Sequence, residues 1–411
     1  MAVIQPFKAI RPVRDKVHLV ATRPVYTYKK YILKAKLEEN PYTFIRIINP
    51  EYGQVHKTKA NSRERFLQVK AKFEEFRKRN ILIQDERAML YLYRQTKNNH
   101  AFIGVIAGAS IEEYNEDLIK KHEATLTTRE SVFTEYLEVV GFNAEPVLLT
   151  YSHHPKLEQV YELIMSERPE YEFSTTDEVK HELWLVNPNH EKELITLFAR
   201  IPCTYIADGH HRSASSASLA AKTSISDKIK YANLNFFLAC FMDEKRLNIL
   251  EFNRLVKSMG SIKKDDFLKE LKQCFNITPL NEAQKPSCEH QITMNLKNQW
   301  YLLECKLEII DPNHPVACLD TEILTRHILT PLLGIHDLKT DANIEFISGN
   351  LGLSAISEPI RNGKCELGFV LYPTSMEQVK RVADHQLIMP PKSTWVEPKL
   401  RSGLTIYSIR E

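Results

Sequence analysis

Tyr205-Ile-Ala-Asp208-Gly209-His210-His211-Arg212-Ser-Ala-Ser-Ser-Ala217 is the stretch on which the reading of this chain turns. A β-prone run (Thr204, Tyr205, Ile206) leads into Asp-Gly, then two histidines and an arginine, then a small-residue segment suited to a helix. Gly209 has no Cβ, so it permits a tight turn or close approach of a ligand. A strand–turn–helix aims backbone N–H groups and the positive end of a helix dipole at one point, where an anion can sit. Asp208 adds a carboxylate, Arg212 a rigid cationic fork, and His210 and His211 groups that titrate near neutrality. This set suits phosphate handling or proton transfer. The same residues also suit a plainer arrangement, in which Asp208 caps the helix, Arg212 pairs with it and the histidines are ordinary loop residues.

Upstream of the motif, strands are expected at Met89–Tyr93, Phe102–Ala107, Glu145–Tyr151 and His181–Val186, with helices at Leu157–Glu167 and Asn189–Arg200. The motif therefore follows a βαβ-like passage, which favours a ligand crevice at a strand's carboxyl end. Residues 61–80 form the clearest amphipathic helix, with Phe66, Val69, Phe73 and Phe76 on one stripe, and that stripe is assigned to the core. Asn40–Ile48 reads as a turn followed by a strand. Residues 3–30 read as extended, because Pro6, Pro12 and Pro24 interrupt any long helix. Their cations, Arg11, Arg14, Arg23, Lys29 and Lys30, suit a solvated surface or an anionic ligand. A second dense string, Lys121-His122-Glu123, places a carboxylate beside cations and so offers a general base within reach of a substrate hydroxyl. Taken alone, that string also reads as a solvated charge run.

Downstream, Phe236–Phe241 is an apolar strand, 263–276 a helix, 290–311 a hairpin and Asp320–Leu332 another helix. The stretch Met389-Pro-Pro-Lys392-Ser393-Thr394-Trp395-Val-Glu-Pro398-Lys399-Leu-Arg401-Ser402-Gly403 is a proline-fixed loop carrying two lysines, an arginine and three hydroxyls. Those groups suit phosphate oxygens. The expected fold class is α+β (mixed α/β). Two domains are expected: 1–240 carrying the motif, and 241–411 with a 389–404 loop that returns to the site.

The 411 residues are 43% hydrophobic and 26% charged, with a net charge of +3, so no global basic field argues for nucleic acid. Seven cysteines are scattered without a C-x-x-C pair, which points to reduced thiols in a cytoplasmic protein. No apolar run of about 18 residues occurs, so no membrane span is expected. Neither a Walker A string nor G-x-G-x-x-G is present, and adjacent histidines lack the i, i+4 spacing of helical metal ligands.

Six segments carry a resemblance that runs in order along the chain: Pro6-Phe-Lys-Ala-Ile-Arg-Pro12, Asn40-Pro-Tyr-Thr-Phe44, Tyr93-Arg94-Gln95, Ile119-Lys-Lys-His-Glu123, Tyr205–Arg212, and Met389–Thr394 through Lys399–Gly403. They resemble the family catalogued as domain of unknown function 1015. The Asp-Gly-x-His-Arg pattern is also similar to that of free serine kinases with a ParB/sulfiredoxin-like fold. One departure is visible, because Arg23-Pro24-Val25-Tyr26-Thr27 stands where the family carries Pro-Pro-Tyr-Asp, and the acid is missing.

The resemblance implies a ParB/sulfiredoxin-like core and a Mg²⁺-dependent transfer of phosphoryl from pyrophosphate to the hydroxyl of free L-serine. Combined with the chemistry of the residues, that reaction gives expected catalytic roles to Glu123, Asp208, His210, His211 and Arg212, with Glu123 the first choice of base and Asp208 the second. Phosphate or substrate contacts fall to Gly209, Lys121, His122, Arg94, Lys392, Ser393, Thr394, Lys399 and Arg401, and a metal contact to Asp208. Its alternatives are an ATP- or ADP-dependent serine kinase and a ParB-like nucleotide-responsive DNA-binding or sensor module. The expected partners are small molecules, without nucleic acid or membrane, and a homodimer is left open.

Overall fold

The computed structural model describes residues 2–411. The chain divides into two compact units that interleave along the sequence. Met1–Lys121, Thr125–Leu247 and Pro398–Glu411 form the first, and His122–Ala124 with Asn248–Glu397 the second. The division expected after residue 240 falls inside a strand, Phe236–Asp243.

The first unit is built on a nine-stranded mixed sheet. Its strands are β1 (Ile4–Gln5), β2 (Tyr91–Lys97), β3 (His100–Ser110), β4 (Ile119–Lys120), β5 (Val147–Tyr151), β6 (Tyr171–Ser174), β7 (Lys180–Leu185), β8 (Thr204–Asp208) and β9 (Phe236–Asp243). They run in the order β4-β8-β5-β9-β3-β2-β7-β6, with β1 added along β3. Only the β8–β4 and β9–β5 pairs are parallel, so the fold is mixed α/β of the α+β kind.

Its longer helices are α1 (Lys30–Glu39), α2 (Arg63–Lys78), α3 (Thr127–Val140), α4 (Pro155–Met165), α5 (Pro188–Phe198) and α6 (His210–Lys222). Strand alternation explains how they are placed, since successive side chains point to opposite faces. Leu92, Val105, Leu149, Phe237 and Phe241 join one core with Leu157, Val160 and Tyr161 of α4 and Leu194 and Phe198 of α5. Helix α2 buries Phe66, Val69, Phe73 and Phe76 as its periodicity predicts, and the Ser62 side chain caps it by accepting from Arg65 N at 3.3 Å.

Three expectations change, the first being the extended reading of residues 3–30, a segment that holds a short helix at Val17–Val20 flanked by helical turns. Asn40–Ile48 is a turn followed by a short helix, Ile45–Ile48, instead of a strand. The Asn40 side chain accepts from Tyr42 N and donates to Leu19 O, while Phe44 N reaches Val20 O. Burial of Phe44, Ile45 and Ile47 then overrides their β-propensity. In the second unit, the helix expected over Asp320–Leu332 is interrupted by a wide turn at Thr325–Leu329. Pro331 has no N–H for a regular helical bond, which favours this widening.

The second unit carries a six-stranded antiparallel sheet formed by β10 (Phe252–Val256), β11 (Phe275–Leu280), β12 (Gln291–Leu296), β13 (Gln299–Cys305), β14 (Ile344–Ser348) and β15 (Leu367–Leu371). The order is β11-β13-β12-β15-β10-β14. The hairpin expected within 290–311 is the β12–β13 pair.

Candidate functional site: a charged centre at a strand–helix turn

The motif in the first unit folds as its residue types suggest. Strand β8 ends at Asp208 after a register shift against β5 between Ile206 and Asp208. Gly209 follows with φ +109°, and α6 begins at His210. A Cβ on Gly209 would stand 3.1 Å from the Arg212 guanidinium, so glycine serves both the backbone and the packing. The Ser-Ala-Ser-Ser-Ala run lets α6 lie close against α3, where Thr134 Oγ1 reaches Ser215 O and Ser218 Oγ donates to Glu130.

Two cations converge on Asp208. Lys399 Nζ stands 3.3 Å and Arg212 Nη2 3.5 Å from the same oxygen, Oδ2. Arg212 Nη1 also pairs with Glu145 Oε1 at 3.0 Å and donates to the carbonyls of Glu145 and Pro146. Ser402 Oγ donates to Glu145 Oε2 at 2.9 Å, which ties the C-terminal segment to the centre. Burial works against the Asp208 carboxylate, but Lys399 and Arg212 outweigh it and hold its pKa below the usual value. Arg212 is likewise opposed by burial and kept firmly charged by Glu145 and Asp208.

His210 is 4% exposed, and that burial pushes its imidazole down to about 3, with His211, Arg212 and Lys121 adding to the effect against Asp208. It is therefore neutral at physiological pH. His211 is half-buried and meets Phe133 edge-on at 6.4 Å. Lys121 Nζ donates to Tyr114 O at 2.8 Å and lies 4.3 Å from the centre of that ring.

Arg401, expected at phosphate, anchors a separate network in the same unit. Its Nη2 stands 3.0 Å from both Asp177 oxygens, and its Nε 3.2 Å from His181 Nε2. Tyr93 Oη meets His181 Nδ1 at 2.8 Å. Arg94 is placed differently. It alternates with Tyr93 and Gln95, points to the face covered by α4, and is gripped by both oxygens of Glu182 at 2.6 and 2.8 Å. That placement gives it a fork-to-fork ion pair in the sheet and lends no support to the expected phosphate contact.

The other expected residues belong to the second unit. His122 is buried and its carbonyl accepts from Met389 N at 2.9 Å; Glu123 is half-buried. Lys392 adopts φ +59°, with its Nζ 5.2 Å from the Phe252 ring centre and its carbonyl accepting from the buried Arg254 at 3.2 Å. Ser393 is buried and donates to Pro390 O, while Thr394 is half-buried.

Glu145, Asp177 and His181 are not singled out by the sequence, and Ser402, counted there among hydroxyls for phosphate, instead holds Glu145. Glu145 had a faint signal as a carboxylate before Pro146 at the head of a buried strand. Against Mg²⁺, the centre offers two carboxylates, Asp208, whose Oδ2 is shared by two cations, and Glu145, which is engaged by Arg212 and Ser402. Mg²⁺ commonly takes one or two carboxylates and completes its shell with phosphate oxygens and water, so Asp208 fits the ion as one protein carboxylate in such a shell.

Another acid–histidine group, His153, Glu158 and Asp243, lies at the opposite end of strand β5 from Asp208's partner Leu148. Its donors are spent. Asp243 accepts from His153 at 2.8 Å and from the backbone N–H groups of His154 and Lys245, and Glu158 pairs with Arg246 at 2.5 Å. Among the described residues, no helix is long and apolar enough to cross a membrane.

Fold and centre together define a mixed α/β protein with a charged strand–helix turn suited to anions. The chain belongs to the family described as "Protein of unknown function (DUF1015)", whose profile matches residues 4–322. No curated protein matches it. Among solved structures it is similar to a free serine kinase in complex with AMP, at 14% identity and a TM-score of 0.36 over 74% of this chain and 91% of that one. It is also similar to a conserved hypothetical protein from Pyrococcus furiosus, at 13% identity and a TM-score of 0.35 over 74% and 95%. A third is SbnI with a C-terminal truncation from Staphylococcus aureus, at 12% identity and a TM-score of 0.38 over 74% and 87%. Likenesses this remote define no shared mechanism.

Proposed function

We propose that the protein is a phosphotransferase that moves a phosphoryl group from pyrophosphate to the hydroxyl of free L-serine. The observation that carries this reading is the convergence of Lys399 and Arg212 on Asp208 at the glycine turn that opens α6. The resemblance of Asp-Gly-His-His-Arg to the serine-kinase pattern supplies the acceptor, and the missing nucleotide-binding strings favour a small donor.

In the reaction, the serine Oγ–P bond forms as the bridging P–O bond of pyrophosphate breaks. Phosphate leaves, and the hydroxyl proton passes to a carboxylate. Arg212 and Lys399 neutralise charge on the transferring group, and preorganised donors of this kind contribute most in the transition state. The N–H groups at the start of α6 add donors without charge. Neutral His210 and its neighbour His211 offer hydrogen bonds to phosphate oxygens. Mg²⁺, held by Asp208, would supply further charge neutralisation when bound.

Glu123 is the first candidate for the base and Asp208 the second, and Glu123→Gln and Asp208→Asn separate them. An unchanged turnover number in a folded Glu123→Gln protein removes Glu123. The primary test is ³¹P NMR of the full chain with Mg²⁺ and L-serine, offered pyrophosphate, ATP or ADP in separate tubes. A phosphoserine resonance in the pyrophosphate tube is expected. Signal only with a nucleotide overturns the donor, and no signal in any tube overturns the reaction.

A further inference from the structure

A second concentration of cations lies in the first unit, and it is not balanced by acids. Arg401 is 4% exposed and holds Asp177. Arg23 Nη1 approaches the same carboxylate at 3.7 Å. Lys36, half-buried on α1, shares this neighbourhood: burial lowers its pKa first, Arg23 and Arg401 lower it further, and Asp177 is the acid that opposes them. Tyr28 forms the wall between two of the cations, with its ring centre 4.5 Å from the Arg23 guanidinium carbon and 5.9 Å from Lys36 Nζ. Its hydroxyl is fixed by accepting from Arg23 N at 3.0 Å.

Three cations thus face one carboxylate. His181, on the far side of Arg401, does not add charge, because burial and Arg401 hold it down to about 3. A half-buried lysine whose strongest charged neighbours are two arginines is costly in the free protein, since like charges raise each other's energy where water is scarce. The cost is recovered when an anion enters.

The position of the cluster says which anion. Lys399 reaches Asp208, and Arg401 reaches Asp177. Cα atoms two residues apart in a chain lie no more than about 7 Å from each other. The charged centre at Asp208 and the surplus cations are therefore joined by three residues, a span suited to a single small substrate. One end of such a molecule meets the phosphoryl-transfer centre and the other carries its charge to the cluster. We infer that Lys36, Arg23 and Arg401 form a subsite for the carboxylate of a small hydroxy-acid or hydroxy-amino-acid acceptor, with Tyr28 as its wall. This deepens the proposed function and rests on it for the identity of the acceptor. A phosphate oxygen of the donor has the same anionic chemistry, and the test separates the two sources.

The experiment uses the full chain, as wild type, Lys36→Met and Arg23→Gln. Calorimetric titration with L-serine and, separately, with pyrophosphate reads the subsite without turnover. Each substitution is expected to weaken L-serine roughly tenfold or more and leave pyrophosphate within about twofold, the loss typical of a hydrogen bond to a charged group. In parallel, steady-state rates compare L-serine with ethanolamine, which keeps the hydroxyl and lacks the carboxylate. Wild type is expected to favour L-serine through KM, and the two variants to lose that preference while processing ethanolamine like wild type. Weakened pyrophosphate with intact L-serine binding assigns the cluster to the donor and overturns the inference. Unchanged affinity for both ligands overturns it too, whether or not turnover is seen. Turnover of L-serine with an undiminished preference in both variants overturns it and leaves the proposed reaction standing.

Discussion

Replacing Gly209 by alanine isolates what the turn contributes. The backbone there sits at φ +109°, where an L-residue is strained by roughly 1–2 kcal/mol. The new Cβ would also stand 3.1 Å from three atoms of the Arg212 guanidinium, which must then give way. Moving it loosens the 3.0 Å pair with Glu145 and the 3.5 Å approach to Asp208. Those side chains are about a quarter to a third exposed, so the lost pairing adds only about 0–1 kcal/mol. The total is roughly 1–3 kcal/mol, or about 2–6 °C in Tm for a unit of this size. Gly141→Ala is the control, because that glycine caps α3 at φ +78° with nothing within 4 Å of its Cβ position. Both proteins carry backbone strain, but only Gly209→Ala displaces Arg212. Calorimetric melting and pyrophosphate titration are run on both. Gly209→Ala is expected to lose pyrophosphate affinity and Gly141→Ala to keep it. Equal melting losses together with wild-type anion affinity in Gly209→Ala would refute the view that this glycine positions Arg212.

Arg11 donates through Nε to both Asp85 oxygens at 2.8 and 3.0 Å and pairs with Glu170 at 3.0 Å while almost buried, so Arg11→Ala should cost about 3–5 kcal/mol by urea denaturation, as removing one partner of a buried ion pair does. His210 is neutral in the folded chain, with burial holding it down to about 3, whereas the unfolded group titrates near 6.5. The unfolded state therefore binds the extra proton between those values, so this stability is complete above about pH 6.5 and lost as pH falls toward 3. His210→Gln should flatten that part of a stability–pH curve, and an unaltered slope counts against the assignment. Thiol titration with an aromatic disulfide should modify exposed Cys288 first and reach Cys240, whose thiol burial pushes up to about 12, only on unfolding. Early loss of Cys240 would show that β9 opens in the native state.

Much of the centre was legible because its chemistry is local. Asp208, Gly209, His210 and Arg212 lie within one turn of chain, and residue type alone places a glycine between a carboxylate and an arginine fork. Lys399 could be read as a phosphate ligand from its proline-fixed loop, but not as the partner of Asp208. Glu145 was harder, since it stands 67 positions before Arg212 and meets it only because β8 lies beside β5. Arg11 and Arg23 look alike in sequence, yet one is sealed by Asp85 and Glu170 and the other lies beside Lys36. Arg94 carries the opposite lesson, because an arginine between two aromatic-face positions must point to the other face of the sheet. The turn at Asn40 is legible, but the expected strand after it is the helix Ile45–Ile48, because β-branched residues at a buried corner are chosen for packing.

The distribution of charge differs between the two halves of this arrangement. At the turn, Arg212 and Lys399 are matched by Asp208 and Glu145, so an arriving anion must compete with carboxylates already in place. Such a centre gains less from ground-state binding than unmatched cations would, though a displaced Arg212 still lowers it. Its cations are nevertheless fixed in position for charge that develops later, and only that excess over the ground state accelerates a reaction. Beside it, Lys36, Arg23 and Arg401 outnumber Asp177 three to one, so an acceptor's carboxylate meets unspent charge. Binding energy drawn from the non-reacting end of a small acceptor can then hold its hydroxyl at the balanced centre. A deficit of acids at one end and a match at the other is the division of labour expected of a transferase that must bind a small molecule firmly and leave its own cations for the transition state.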